Sequence, residues 1–332
     1  MGRLGISFQS NKRLSDYAEL GALVDRYDFE NVVVYEDLFF QPCWPALMQL
    51  ALHTRRVRLG PSVVNPYTSH PVPIAANLAL LDETSKGRAF LGVGRGAFFA
   101  PVGLEQPRPL QAIRELVEMV QRLLSGDRTV YRGQIFRADS EAYLRFKIPG
   151  RRLPVLIGTW GRKTCGLAGQ IADEVKIGGC VNPASAPVFR GYMTAGARAV
   201  GRDPAGVRLA YGAVTVVDRD RAVAEALARR QVAMYLLVVG RLDPTYQCSL
   251  EEEEAVRRAL LAGDEQGAGR AISTETLGRF SCYGTPGDIV RRMGELFDAG
   301  VDRFEFGTPH GVDEAEAIRL LGEEVLPEFR GS

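Results

Sequence analysis

The sequence predicts an α/β protein folded as a single (β/α)8 TIM barrel with insertions, and three observations predict it. Eight short apolar segments rich in β-branched residues recur along the chain. Amphipathic stretches with helical spacing separate them. No low-complexity linker or short internal repeat divides the 332 residues. Strands that alternate with helices pair in parallel through helical crossovers. Eight such units fit a closed barrel, which takes about 250 residues plus insertions. An open doubly wound sheet is the second architecture compatible with the alternation.

Taken in order, the first strand covers 4–8 and leads into a helix over 14–27. The second, 31–35, precedes a helix at 45–53. The third, 57–64, precedes one at 72–84, and the fourth, 89–93, a longer one at 105–124. Strands at 154–157 and 174–177 are followed by helices at 163–171 and 186–200. The seventh strand, 207–216, is followed by helices that extend toward 269. A helix at 286–298 then comes before the eighth strand, 301–306. Two segments exceed what a barrel needs: 126–152, read as a hairpin and loop, and 240–281. The second carries the acidic run 251–254, placed at a helix N-terminus where the helix dipole favours negative charge. The chain is read as one domain, 1–332.

Composition narrows the function classes. Charged residues make up 24% and hydrophobic residues 46%, which excludes a disordered chain. With 41 basic and 40 acidic residues the net charge is +1, so no global field draws nucleic acid or an anionic membrane. Cys43, Cys165, Cys180, Cys248 and Cys282 are widely spaced and odd in number, which argues against a zinc site or a disulfide framework. The N-terminus reads directly as a strand, with neither a signal peptide nor a myristoylation pattern, and no apolar run is long enough to span a bilayer. A cytoplasmic setting, a small-molecule substrate and no bound metal are expected.

The segment Arg58-Leu-Gly-Pro-Ser-Val-Val-Asn-Pro-Tyr-Thr-Ser-His-Pro71 carries the most chemistry. Its apolar strand stops at Asn65-Pro66, because proline removes a ladder donor. That places Ser62, Asn65, Tyr67 and His70 at the C-terminal mouth, where barrels keep their active sites. Glu36 and Asp37 follow the second strand. Two adjacent carboxylates cannot both face an apolar core, so one of them is expected in the mouth as a hydrogen-bonding or acid/base group. Leu91-Gly-Val-Gly-Arg-Gly96 follows the fourth strand, not the first, and a long helix comes next, so a dinucleotide fingerprint is rejected. Glycines at Gly94 and beside Arg95 instead permit close approach of a flat ring or of backbone. Gly158 and Thr159, and later Gly178 and Gly179, end two strands ahead of helices. Exposed N–H groups there suit a phosphate, with Arg162 and Lys163 adding charge. His53, His70 and His310 lack the spacing of a metal pair, and no Gly-x-Ser-x-Gly elbow supports a serine hydrolase.

The chain resembles the bacterial luciferase-like superfamily, in particular its deazaflavin-dependent branch and the 5,10-methylenetetrahydromethanopterin reductases within it. The matching landmarks are Leu-Gly-Pro-Ser-Val-Val-Asn-Pro-Tyr at 59–67, Leu-Asp-Glu-Thr-Ser-Lys-Gly-Arg-Ala-Phe-Leu-Gly-Val-Gly at 81–94, Tyr-Gly-Thr-Pro-Gly-Asp at 283–288 and Gly-Val-Asp-Arg-Phe-Glu-Phe-Gly at 300–307. The resemblance implies a barrel that holds coenzyme F420, or alternatively FMN, at its C-terminal mouth. It implies a cis peptide at Ser62-Val63, whose bulge backs the middle ring. It implies that Glu36 bonds the coenzyme, that Asp37 stands where relatives have a catalytic histidine, and that Gly158, Thr159, Gly178 and Gly179 receive the phosphate. Arg95 occupies the position of a catalytic glutamate in the sugar-phosphate dehydrogenase relatives, which argues against that oxidation. The expected activity is hydride transfer from the deazaflavin C5 to an electron-poor C=C or C=N, with Asp37, Glu36 or His70 delivering a proton. Two rivals are an FMN-dependent monooxygenase and a non-catalytic coenzyme-binding barrel. Relatives pair through barrel helices, so a homodimer is expected, with the helix near 73–81 as its candidate face. Loops at 42–44, 97–106 and 240–281, with Phe39, Phe40, Trp44, Phe98 and Phe99, are expected to shape the substrate pocket.

Overall fold

Each of the eight expected strands is present, and together they close a parallel barrel in the computed structural model, which describes residues 2–329. In chain order the strands are β1 (Arg3–Phe8), β2 (Asn31–Val34), β3 (Arg58–Pro61), β4 (Leu91–Gly94), β5 (Tyr131–Arg132), β6 (Arg137–Ala138), β7 (Val155–Gly158), β8 (Glu174–Gly178), β9 (Arg208–Val217), β10 (Ser281–Gly284) and β11 (Arg303–His310). The helices are α1 (Leu14–Arg26), α2 (Cys43–His53), α3 (Pro71–Thr84), α4 (Pro109–Ser125), α5 (Arg162–Ile171), α6 (Ala186–Arg198), α7 (Arg221–Val239), α8 (Leu250–Leu261), α9 (Glu265–Ala271), α10 (Thr274–Phe280), α11 (Pro286–Asp298) and α12 (Glu314–Leu320).

The barrel order is β3-β2-β1-β11-β9-β8-β7-β4. Bridges Leu59–Ala89 and Val64–Val93 join β3 to β4 and close the ring. Strands such as Asn-Val-Val-Val and Leu-Gly-Val-Gly are buried on both faces, as parallel strands under a helical layer must be. The β3–β4 seam is tight: a Cβ on Gly92 would lie 1.9 Å from the carbonyl oxygen of Pro61. The close approach expected at the Gly-x-Gly-x-Gly run is therefore made by backbone at this position.

Strand three differs from its expected extent. Regular pairing ends at Pro61, the Ser62–Val63 peptide is cis, and pairing resumes at Val64, whose N–H donates to Gly92 O at 3.0 Å. The segment 126–152 contains the antiparallel β5–β6 hairpin. Buried Glu115 on α4 anchors it by accepting the N–H groups of Gln134, Ile135 and Phe136 at 2.7–2.8 Å. The segment 240–281 supplies α8, α9 and α10, which cover α7 around a second buried cluster that includes Val232, Leu236, Val256, Leu277 and Phe280. Ser249 caps α8, so Glu251, Glu252 and Glu253 of the acidic run occupy its first turn. Strand β10 was not expected. The ten-residue β9 gives its lower half to β8 and its upper half to β10, through Ser281–Val214 to Gly284–Val217.

All five cysteines are buried free thiols. No helix among the described residues is long and apolar enough to cross a membrane.

Candidate active site

Inside the barrel, residues two apart on a strand point to the same side. Glu174 and Lys176 on β8 thus share the interior with Arg303 and Glu305 on β11. On the intervening strand β9, Ala210 stands opposite Lys176 and Arg303 and Gly212 opposite Glu305, so long side chains can cross it there, while Arg208 stands opposite Glu174 and pairs with it. A Cβ on Gly212 would press at 3.2 Å on both Lys176 Cε and Glu305 Cβ. Arg303 donates to Glu174 at 3.2 Å, to Glu305 at 3.1 Å and to Asn31 at 2.8 Å. Lys176 donates to Glu305 and, at 2.9 Å, to Ser62 Oγ. Burial opposes the charge on Glu305, but Lys176 and Arg303 outweigh it and hold the carboxyl below its ordinary range. Burial pulls the Lys176 ammonium below its ordinary value, and Glu305 opposes that shift.

Above this ionic floor the strand ends form the mouth. Asp37 follows β2 and is partly buried. Its Oδ2 accepts from Gln9 Nε2 at 3.0 Å, and its Oδ1 has no hydrogen bond among the described residues. Burial raises the Asp37 pKa above the ordinary carboxylate value, and neighbouring Glu36 adds to the rise. The Gln9 bond and the Lys176 charge oppose it. A carboxyl so placed can hold and release a proton nearer neutral pH. Glu36 turns the other way: its Oε2 accepts the Cys43 N–H at 2.6 Å and so anchors the start of α2.

Ser62 and Val63 form the shoulder after β3. The Val63 side chain enters the barrel beside Val33, Phe90, Leu156 and Tyr35. It fits because its neighbours lack a Cβ: one on Gly94 would meet Val63 at 2.4 Å and one on Gly158 at 3.1 Å. These two glycines accommodate the Val63 shoulder. Ser62 Oγ accepts from Lys176, while its own hydrogen has no acceptor among the described residues. Asn65 is engaged within its own turn, where Oδ1 accepts from Tyr67 and Thr68 N–H at 2.9 and 3.0 Å.

The opposite side of the mouth has the features of an anion cradle. Thr159 and Gly161 lead into α5, whose N-terminus has no side-chain cap and begins with exposed Arg162 and Lys163. A Cβ on Gly178 would meet nothing within 4 Å, so that backbone is open, and Trp160 Nε1 donates to its carbonyl at 2.7 Å. Gly179 has φ 79°, a left-handed conformation that favours glycine.

Two sequence candidates, His70 and Arg95, stand apart from this group, as does His310. His70 is exposed and caps α3, its Nδ1 accepting the Val72 N–H at 3.2 Å while its ring edge meets Phe136. Arg95 is exposed, and its carbonyl accepts from Gln106 Nε2 at 2.7 Å. His310 is fully buried between Glu314 and the carbonyl of Phe306. Sequence reasoning missed Gln9, Trp160 and Lys176. For Lys176 a signal existed: Glu-x-Lys and Arg-x-Glu in two otherwise apolar strands put charges on one interior face.

Comparisons with known proteins agree with this architecture. The family model "Luciferase-like monooxygenase" matches residues 2–303. The chain is 32% identical to the 5,10-methylenetetrahydromethanopterin reductase of Archaeoglobus fulgidus, over 99% of this chain and 100% of that protein. It is 27% identical to the F420-dependent glucose-6-phosphate dehydrogenase of Microbacterium testaceum, over 95% and 94% of the two chains. Among solved structures, the coenzyme F420-dependent tetrahydromethanopterin reductase of Methanopyrus kandleri superposes with a TM-score of 0.91 at 27% identity, covering 99% of each chain.

Proposed function

Starting from a chain that belongs to the luciferase-like monooxygenase family, we propose that it is a coenzyme F420-dependent oxidoreductase acting as a reductase on a small molecule. The observation that carries this reading is the full-length match, at a TM-score of 0.91, to the solved F420-dependent reductase. The residues present fit the coenzyme. The open backbone at Gly178 and the uncapped N-terminus of α5 suit its phosphate. Ser62 has a hydroxyl hydrogen without an acceptor, and Val63 offers an apolar shoulder for a flat ring. When bound, the reduced deazaflavin supplies a hydride from C5 to an electron-poor C=C or C=N.

The chain's own residues then do the rest. Gln9 fixes Asp37 by one oxygen, which leaves Oδ1 to give a proton to the substrate. Glu36 holds the start of α2 in place and so frames the mouth. Preorganised groups of this kind lower the barrier by orientation as much as by charge. Arg95, at the position where sugar-phosphate dehydrogenases of the family carry a catalytic glutamate, weighs against that activity here. His70 has its ring nitrogen engaged in a helix cap, so Asp37 is the proton donor in this reading. A homodimer through α3 belongs to the same proposal. Val72 and Leu80 on that helix are exposed, and the mass in solution tests it.

Anaerobic titration with the deazaflavin coenzyme and with FMN tests the function. Tight binding of the deazaflavin, and its oxidation from the reduced form when an imine or unsaturated acceptor is added, is the expected result. Selective FMN binding with oxygen uptake would instead favour the monooxygenase reading, to which the family's name points.

A further inference from the structure

Ser62 has a fixed hydrogen-bond inventory. A hydroxyl offers one O–H and two acceptor positions. Lys176 Nζ occupies one acceptor position at 2.9 Å, and no described residue accepts the hydroxyl hydrogen. An ammonium has no acceptor capacity, so the direction of this bond is settled: lysine donates and serine receives. The backbone beneath the hydroxyl is pinned as well, with Ser62 N–H on Val34 O at 2.9 Å and Val64 N–H on Gly92 O at 3.0 Å. Donor direction and backbone position are therefore both fixed before any ligand arrives.

Lys176 is itself held from every side. Glu305 on β11 takes one of its hydrogens, and Arg303 braces Glu305 from below. Glu174 lies two residues earlier on the same strand, the Tyr35 ring on the β2 side is 5.3 Å from Nζ, and Asp37 above feels its charge. Lys176 is 4% exposed, so it acts on the mouth through Ser62.

We infer that Lys176 is a positioning residue for the coenzyme site: by donating to Ser62 Oγ it aims the Ser62 hydroxyl hydrogen into the mouth as a polarised donor for a carbonyl oxygen or ring nitrogen of the bound heterocycle. This deepens the coenzyme reading proposed above and rests on it. A donor whose own oxygen accepts from a cation is more acidic and makes the stronger bond. The charge stays sealed below the floor, and the hydroxyl delivers its effect to the ligand.

The test is a double-mutant cycle read on coenzyme binding. Ser62→Ala removes the donor. Lys176→Met combined with Glu305→Gln removes the cation without leaving a buried carboxylate unpaired, which protects the fold. The readouts are the dissociation constant of the deazaflavin coenzyme and the position of its visible absorption band when bound. Loss of one polarised hydrogen bond should weaken binding about 10-fold in Ser62→Ala and shift the band. Ser62→Ala should have little further effect in the Lys176→Met/Glu305→Gln background, since coupled residues are not additive. Wild-type binding with no change in Ser62→Ala overturns the inference. So does a Ser62→Ala loss of equal size in both backgrounds, which would detach Lys176 from it. Failure of the wild-type protein to bind the deazaflavin at all removes the coenzyme reading and this inference with it.

Discussion

The two ends of the barrel treat polar groups in opposite ways. Toward the N-terminal end, charges are buried and matched. Arg303 meets Glu174, Glu305 and Asn31, and Arg208 meets Glu30 and Glu174. Around them a cavity of about 310 Å³ is lined by Glu30, Arg58 and Arg208 among others. One oxygen there, Glu30 Oε2, is buried without a partner among the described residues, and a cavity of that size has ample room for water. At the C-terminal mouth the pattern reverses: Asp37 Oδ1, the Ser62 hydroxyl hydrogen and the first N–H groups of α5 have no side-chain partner among the described residues. Apart from that oxygen, the carboxylates and guanidinium groups named at the lower end are paired with one another and hold the barrel together. The upper end leaves its polar groups for something else to satisfy.

The sharpest way to break this comparison is to remove a matched charge. Arg303→Met leaves Glu174 with Arg208 and Glu305 with Lys176, and removes the cation that joins the two pairs. Breaking a buried pair in this way costs about 3–5 kcal/mol, so the urea midpoint should fall steeply. A midpoint near wild type would show that the lower cluster is not structural. The next largest effect is expected at the mouth and in turnover only. Asp37→Asn should lower kcat about 10²–10³-fold, within the usual range for a lost acid/base group, with coenzyme affinity little changed. An equal loss in affinity would make Asp37 a binding group instead.

The ends also differ in how legible they are from sequence. The eight barrel strands could be read because buried parallel strands are continuous apolar runs bounded by turn residues. Asp37 could be read because a carboxylate directly after such a run must leave the core. Strand β10 could not: Ser-Cys-Tyr-Gly is too short to carry a pattern, and only the upper half of β9 makes it a strand. The Lys176–Ser62 bond joins residues 114 apart, so spacing cannot announce it. His70 was read as a pocket residue. A polar side chain immediately before Pro71 is also an N-cap, and the local helix start took precedence over the barrel mouth.

Smaller effects sharpen the picture of the shoulder. Gly94→Ala puts a Cβ 2.4 Å from Val63 Cγ2. Overpacking of that kind costs about 1–3 kcal/mol, and the displaced shoulder should weaken coenzyme binding as well. Adding Val63→Ala removes the opposing methyls and should restore both. If it does not, Gly94 meets the ligand directly. His70→Ala should cost only about 1 kcal/mol, the value of a helix cap, and leave kcat unchanged. A fall in kcat would return His70 to the mechanism.

The smallest effect separates the two ends by the sign of their pH dependence. Glu305 has a native pKa below its ordinary 4.5, so the folded state binds its proton more weakly than the unfolded state does. Its contribution to stability is present above that ordinary value and fades as the pH falls through the native one. Asp37 has a native pKa above its ordinary 3.8, so the folded state binds the proton more tightly. Its contribution is complete below 3.8 and is lost as the pH climbs through the raised native value. Asparagine at position 37 has no such proton. The stability of Asp37→Asn relative to wild type should therefore rise across that interval and level off above it, as read by unfolding midpoints in a pH series. A difference that is flat with pH would mean the Asp37 carboxyl is hydrated like any surface acid, and its claim to hold a proton for the substrate would fail along with it.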